Sequence, residues 1–131
     1  MIYEYNLQAK AAAWNMETFG EEVFTSKEER ALRILEEALE LAQASGVPTH
    51  MVNRLVEHVY TKPAGGPVTE IADVFFCTLV AAASWGVDLG QLGYEANNKA
   101  RLLRDTIRQK WKIKCEKGLT AFPDFKAALK G

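Results

Sequence analysis

Five carboxylates fall at helical spacing in two short runs of this chain. Glu36, Glu37 and Glu40 stand in the run Glu36-Glu37-Ala38-Leu39-Glu40, and Glu70 and Asp73 in Glu70-Ile71-Ala72-Asp73. Residues three or four apart share a helix face, so each run aims its acids one way. Hard oxygen ligands without His or Cys select Mg²⁺ or Mn²⁺ over zinc. Mg²⁺ in turn keeps waters and completes its shell with substrate phosphates. Two such sets facing one another across antiparallel helices predict a phosphorylated ligand, a triphosphate first of all. The second run also heads a stretch, residues 67–85, that is apolar or small on every side after Asp73. A helix hydrophobic all round is expected to be buried. Carboxylates buried there would need a cation, because an unpaired buried charge is costly.

Both runs need long helices to carry them. The first helix is expected to begin near Asn6, an N-cap residue, and to stop at Gly20, with Leu7, Ala11, Trp14 and Thr18 on one stripe. Trp14 reads as core before it reads as a platform for a flat ring. Thr25 or Ser26 caps the second helix, which ends at Gly46 and places Glu28 and Glu29 in its first turn. Leu32, Leu35, Ala38, Leu39 and Ala42 form its apolar side. The opposite sector holds Glu29, Arg30, Arg33, Glu36, Glu37 and Glu40, and it has two readings. One is a solvated face laced by Glu29–Arg33 and Arg33–Glu37 pairs; the other is a ligand set. Periodicity does not choose between them.

A shorter helix over residues 50–60 turns Met51, Leu55, Val56 and Val59 inward, and its His50 and His58 form no Glu-x-x-His pair of the di-iron kind. The run 62–67, Lys-Pro-Ala-Gly-Gly-Pro, breaks the chain, and Pro67 suits the first position of the apolar helix. Gly65 and Gly66 serve loop flexibility or a phosphate equally well. Gly86 ends that helix and Asp88 caps one last helix, with a stripe of Leu89, Leu92, Ala96, Leu103, Ile107 and Trp111. Its basic residues read as a solvated face, or, for Asn98 and Lys99 near its start, as groups that reach phosphates. Phe122 and Phe125, around Pro123, are expected to pack as an arm on this molecule or on a partner chain.

Composition bounds the rest. A chain of 131 residues with 48% hydrophobic and 25% charged residues is one ordinary globular domain. A net charge of −1 argues against a dedicated nucleic-acid binder. The start shows no signal-peptide pattern, and the apolar run after Asp73, at about fifteen residues, falls short of the ~20 of a membrane span. Cys77 and Cys115 lie outside any metal or redox spacing and read as free thiols. A cytoplasmic protein is expected, with neither nucleic acid nor membrane as partner.

The two acidic runs together resemble the EExxE…ExxD signature of the all-α nucleotide pyrophosphohydrolases. This is the MazG-like group, whose superfamily includes the dimeric dUTPases and phosphoribosyl-ATP pyrophosphohydrolase. The resemblance covers roughly residues 26 to 110. It implies an all-α fold, a four- to five-helix bundle, as a single domain over 1–131 with its core at about 26–117 and an arm at 118–131. It also implies Mg²⁺-dependent (Mn²⁺ is a possible substitute) hydrolysis of a nucleoside triphosphate to monophosphate and pyrophosphate, in a homodimer or homotetramer. Carried over by position, Glu37, Glu40, Glu70 and Asp73 would be metal ligands. Glu36 and Glu37 would be catalytic, Glu36 as a further ligand or as the group that orients the attacking water. Asn98, Lys99 and Arg33 would contact substrate. The stretch between Glu40 and Glu70 is longer than in compact members, and the arm has no counterpart. The alternative is a non-catalytic nucleotide- or metal-binding module, or an oligomeric interaction protein whose acids only pair with Arg33, Arg101 or Arg104.

Overall fold

The computed structural model describes residues 2–124, all of whose regular structure is helical. The elements are α1 (Ile2–Phe19), α2 (Glu21–Thr25), α3 (Lys27–Ala44), α4 (Thr49–Tyr60), α5 (Pro67–Ser84), α6 (Leu89–Leu102) and α7 (Arg104–Glu116). The all-α expectation therefore holds. The expectation for Phe125 falls outside the described residues.

Local chemistry explains most boundaries. Ser26, not Thr25, caps α3: its Oγ accepts the N–H of Glu29 at 3.2 Å. The Thr25 hydroxyl is instead turned back to donate to the carbonyl of Glu21 at 2.8 Å, inside α2. Pro67 opens α5 as expected. Helix α7 ends in a Schellman motif, with Gly118 at φ +72°. The N–H of Leu119 there donates to the carbonyl of Lys114 at 2.9 Å and that of Gly118 to Cys115 at 3.1 Å. α3 and α5 end in the same way around Gly46 and Gly86.

Three expectations are corrected. Helix α1 starts at Ile2, so Asn6 is inside it and is no cap; neither Gly nor Pro precedes Asn6 to stop the helix. The short α2 was not expected, because five residues are too few to show a period. The last helix is two helices, α6 and α7, offset at Leu103 (φ −106°, ψ 22°). Hydrogen bonding continues through the offset, from Leu103 N–H to Lys99 and from Ile107 N–H to Leu103. No glycine or proline marks it.

The chain divides into two compact units, one made of the residues up to Glu36 with those from Gly90 onward, the other of Glu37–Leu89. In the first, α1 packs on α2 and on α7. Phe19, Val23, Trp111 and Cys115 form its buried cluster, with Trp14, Ile107 and Phe122 against it. Its rings contact in series: Trp14 edge-on to Phe19 (6.0 Å), Phe19 to Trp111 (5.1 Å) and Trp111 to Phe122 (6.0 Å). Trp14 is thus a core residue. At Gly93 on α6, a Cβ would meet Leu7 Cδ2 at 2.6 Å, so the missing side chain admits this close approach to α1.

The second unit holds α4, α5 and the C-terminal part of α3. Its one buried residue is Ala82. Helix α5, expected to be the most buried element, is exposed except at Ala81 and Ala82: Val68 is 81% exposed, Ile71 63%, Phe76 65% and Trp85, just past its end, 70%. Met51, Leu55, Val56 and Val59 of α4, expected to face inward, are exposed too. The physical reason is that the buried cluster of this chain belongs to the first unit, and α5 forms no substantial helix pair with any other described element.

Candidate functional site

The acids of the two runs occupy different settings. Glu36 is half-buried in the first unit, where Lys114 Nζ donates to its Oε1 at 2.6 Å and Arg33 lies 3.6 Å away. Glu37 and Glu40, one turn apart on α3, belong to the second unit and are exposed. Glu70 and Asp73 lie in the first turns of α5, on one face, and are exposed as well. The expectation that they are buried charges in need of a cation is corrected by that exposure. Glu70 sits at the positive end of the α5 dipole, where a carboxylate is favoured. Its Oε1 lies 2.5 Å from the point a Cβ on Gly65 would occupy, so the loop glycine makes room for the carboxylate.

Four oxygen-donor side chains, Glu37, Glu40, Glu70 and Asp73, are thus carried as two pairs on two helices of one unit. Their donor chemistry suits Mg²⁺ or Mn²⁺. Their arrangement within one chain does not yet make a site: among the described residues no group of three or more His, Cys, Asp or Glu side chains gathers to hold a metal ion.

The residues expected at substrate are also located. Arg33 has its Nε 3.2 Å from Glu29 Oε2, faces Glu36, and donates through its other terminal nitrogen to the carbonyl of Leu119. Besides the expected pair with Glu29, Arg33 lies 3.6 Å from Glu36. Asn98 and Lys99 lie in the last turns of α6, not near its start, because that helix begins at Leu89. Lys99 is therefore placed where the helix dipole favours a base. Asn98, Arg101 and Leu102 line an open recess of about 440 Å³. Arg104, offered above as a partner for the motif acids, pairs with Glu17 at 3.2 Å.

Reading the sequence paired Glu29 with Arg33, as the structure does, but missed its burial. Glu29 is fully buried, at 0% exposure. One carboxylate oxygen accepts the indole N–H of Trp111 at 2.8 Å, and the other accepts the backbone N–H of Ala121 at 3.0 Å. With Arg33 it ties α3 to α7 and to the segment after Gly118. The available signal was Ser26-x-x-Glu29, the spacing of a capping box. The structure uses only half of that box, because Ser26 N–H donates to Val23 while the Glu29 carboxylate goes to Trp111. Burial lowers the Arg30 pKa, Glu29 opposes that shift and Arg33 adds to it.

No protein-family model, curated protein or solved structure matches this chain.

Proposed function

We propose that the chain is a MazG-like nucleoside triphosphate pyrophosphohydrolase, built on an all-α bundle of that type, which releases nucleoside monophosphate and pyrophosphate. One observation carries the reading: Glu37/Glu40 and Glu70/Asp73 are same-face acid pairs of one unit, the first on the C-terminal part of α3 and the second on α5. Bound Mg²⁺ would supply charge neutralisation and a more acidic water. Glu37, Glu40, Glu70 and Asp73 are the ligands proposed for it. Glu36 and Glu37 are the catalytic candidates, the Glu36 carboxylate being engaged by Lys114 and Arg33 in the structure. A positioned carboxylate base contributes about 10²–10⁴-fold. Asn98 and Lys99, with Arg101 beside them, are the proposed phosphate or sugar contacts; Arg33 holds Glu29 and Glu36 and is the weakest of the substrate candidates.

The test is pyrophosphate release across a panel of (d)NTPs with Mg²⁺. Turnover of at least one nucleotide, reduced about 10²-fold or more by Asp73→Asn or Glu40→Gln, is the expected result. A panel with no turnover rejects the proposal. A second reading, a nucleotide-binding module without chemistry, is favoured by the acids not being gathered in the single chain. It predicts thermal stabilisation by nucleotide with no product.

A further inference from the structure

We infer that α1 and α7 hold, between Thr18 and Arg108, a binding site for a small oxyanion, phosphate first of all. Thr18 is 3% exposed, yet its hydroxyl has no hydrogen-bond partner among the described residues. Threonines elsewhere turn back on their own helix: Thr25 donates to the carbonyl of Glu21 and Thr78 to that of Val74, each at 2.8 Å. The indole N–H of Trp14, one turn before Thr18, is buried and likewise unpartnered, as is the amide oxygen of Asn15. On α7 the Nε–H groups of Arg104 and Arg108 are buried without an acceptor among the described residues. Buried polar groups are normally hydrogen-bonded, so several unmet ones in one unit point to a partner from outside the chain.

Two contacts set how the helices meet here, both inside the first unit. Arg104 pairs with Glu17 at 3.2 Å, and Trp111 packs on Phe19 with 5.1 Å between ring centroids. Thr18 stands between Glu17 and Phe19 in α1. Arg104, Arg108 and Trp111, at i, i+4 and i+7, share one face of α7. Arg108 is therefore carried on the side of α7 that meets α1, between the two contacts and opposite Thr18.

The chemistry of the set selects the charge of the ligand. The Trp14 indole and both guanidinium groups only donate, Thr18 is able to donate, and the Asn15 amide can turn either end inward. An anion rich in acceptors meets such a set, whereas two guanidinium groups repel a cation. Guanidinium also matches phosphate oxygens in geometry. A water fits less well, because its own hydrogens need acceptors. Glu17 and Arg104, with side chains 64% and 40% exposed, stand at the rim, and the Glu17 carboxylate competes there with an incoming anion.

The inference stands apart from the proposed activity: it uses none of the acid pairs, needs no metal, and is tested without nucleotide and with EDTA present. Thermal melting of the full chain is followed in inorganic phosphate and in chloride at equal pH and ionic strength, and calorimetric titration gives the phosphate Kd. The expected result is a saturable rise in Tm that chloride does not produce. Arg108→Gln is expected to raise the Kd about tenfold or more. Thr18→Val, which removes only the unpartnered hydroxyl, is expected to weaken binding with the helical circular dichroism kept. Glu17→Gln is expected to tighten binding, because the competing carboxylate is gone; a merely structural ion pair would not do this. No stabilisation beyond the chloride control, or one Kd shared by wild type and Arg108→Gln, overturns the inference. If Arg108→Gln does not fold, Glu17→Gln at the surface still decides, and an unchanged Kd there overturns it.

Discussion

The carboxylate of Glu29 accepts two N–H groups, one from Trp111 and one from Ala121. Removing a buried, paired charge leaves its partners desolvated and unmatched, so Glu29→Ala is expected to destabilise the fold by about 3 kcal/mol. The urea midpoint followed by circular dichroism measures it. Cys115 gives a second prediction here. Burial raises its thiol pKa above the ordinary 9.0, and Glu29 adds to the rise; the Thr120 hydroxyl, which donates to its sulfur, and Arg33 act against it. A group whose pKa is higher in the folded state contributes stability below its unfolded pKa and loses it as pH climbs through the folded value. Stability is therefore expected to fall in the alkaline range, and Cys115→Ala to flatten that fall; unfolding midpoints across pH 7 to 10 or so test it. Of these residues, reading the sequence located the Glu29–Arg33 pair but not its burial. Glu29 sits in the same polar sector as Glu36 and Glu37, and its deciding partner Trp111 is 82 residues away.

At the level of elements, α3, α4 and α5 were legible because their ends carry punctuation: Ser26 and Gly46, Pro48, Pro67 and Gly86. The α6–α7 offset was not, since it lies in an unbroken polar-apolar pattern with no breaker residue. Ser26→Ala is expected to cost about 1 kcal/mol, and Ser26→Gly only a few tenths, by loss of the N-cap bond to Glu29. Thermal unfolding of both variants checks this ranking. Gly118→Ala forces a Cβ into φ +72° and disturbs Leu119, whose carbonyl Arg33 engages. A loss of about 1 kcal/mol or more is expected, through the same readout.

For the whole molecule, the apolar circumference of α5 led to an expectation of burial that the described chain does not show, because a single sequence does not say which helices meet. The spacing of the acid pairs was legible, whereas whether they face one another depends on how helices meet, and among the described residues they do not gather into a group of three or more. If the homo-oligomer that the resemblance implies forms, the melting temperature is expected to rise with protein concentration, as linkage requires for an oligomer that binds only folded chains. A concentration-independent melting temperature is the contrary result. The tryptophans also divide between the two units in a useful way. Trp111 is 4% exposed inside the first unit, whereas Trp85 at the end of α5 is 70% exposed. Emission from the protein thus combines Trp14 and Trp111, packed in the first unit, with Trp85, which is open to collisional quenchers. Acrylamide added to the dilute chain extinguishes the open one first, so its gradual shielding at higher concentration would report on α5 without any label.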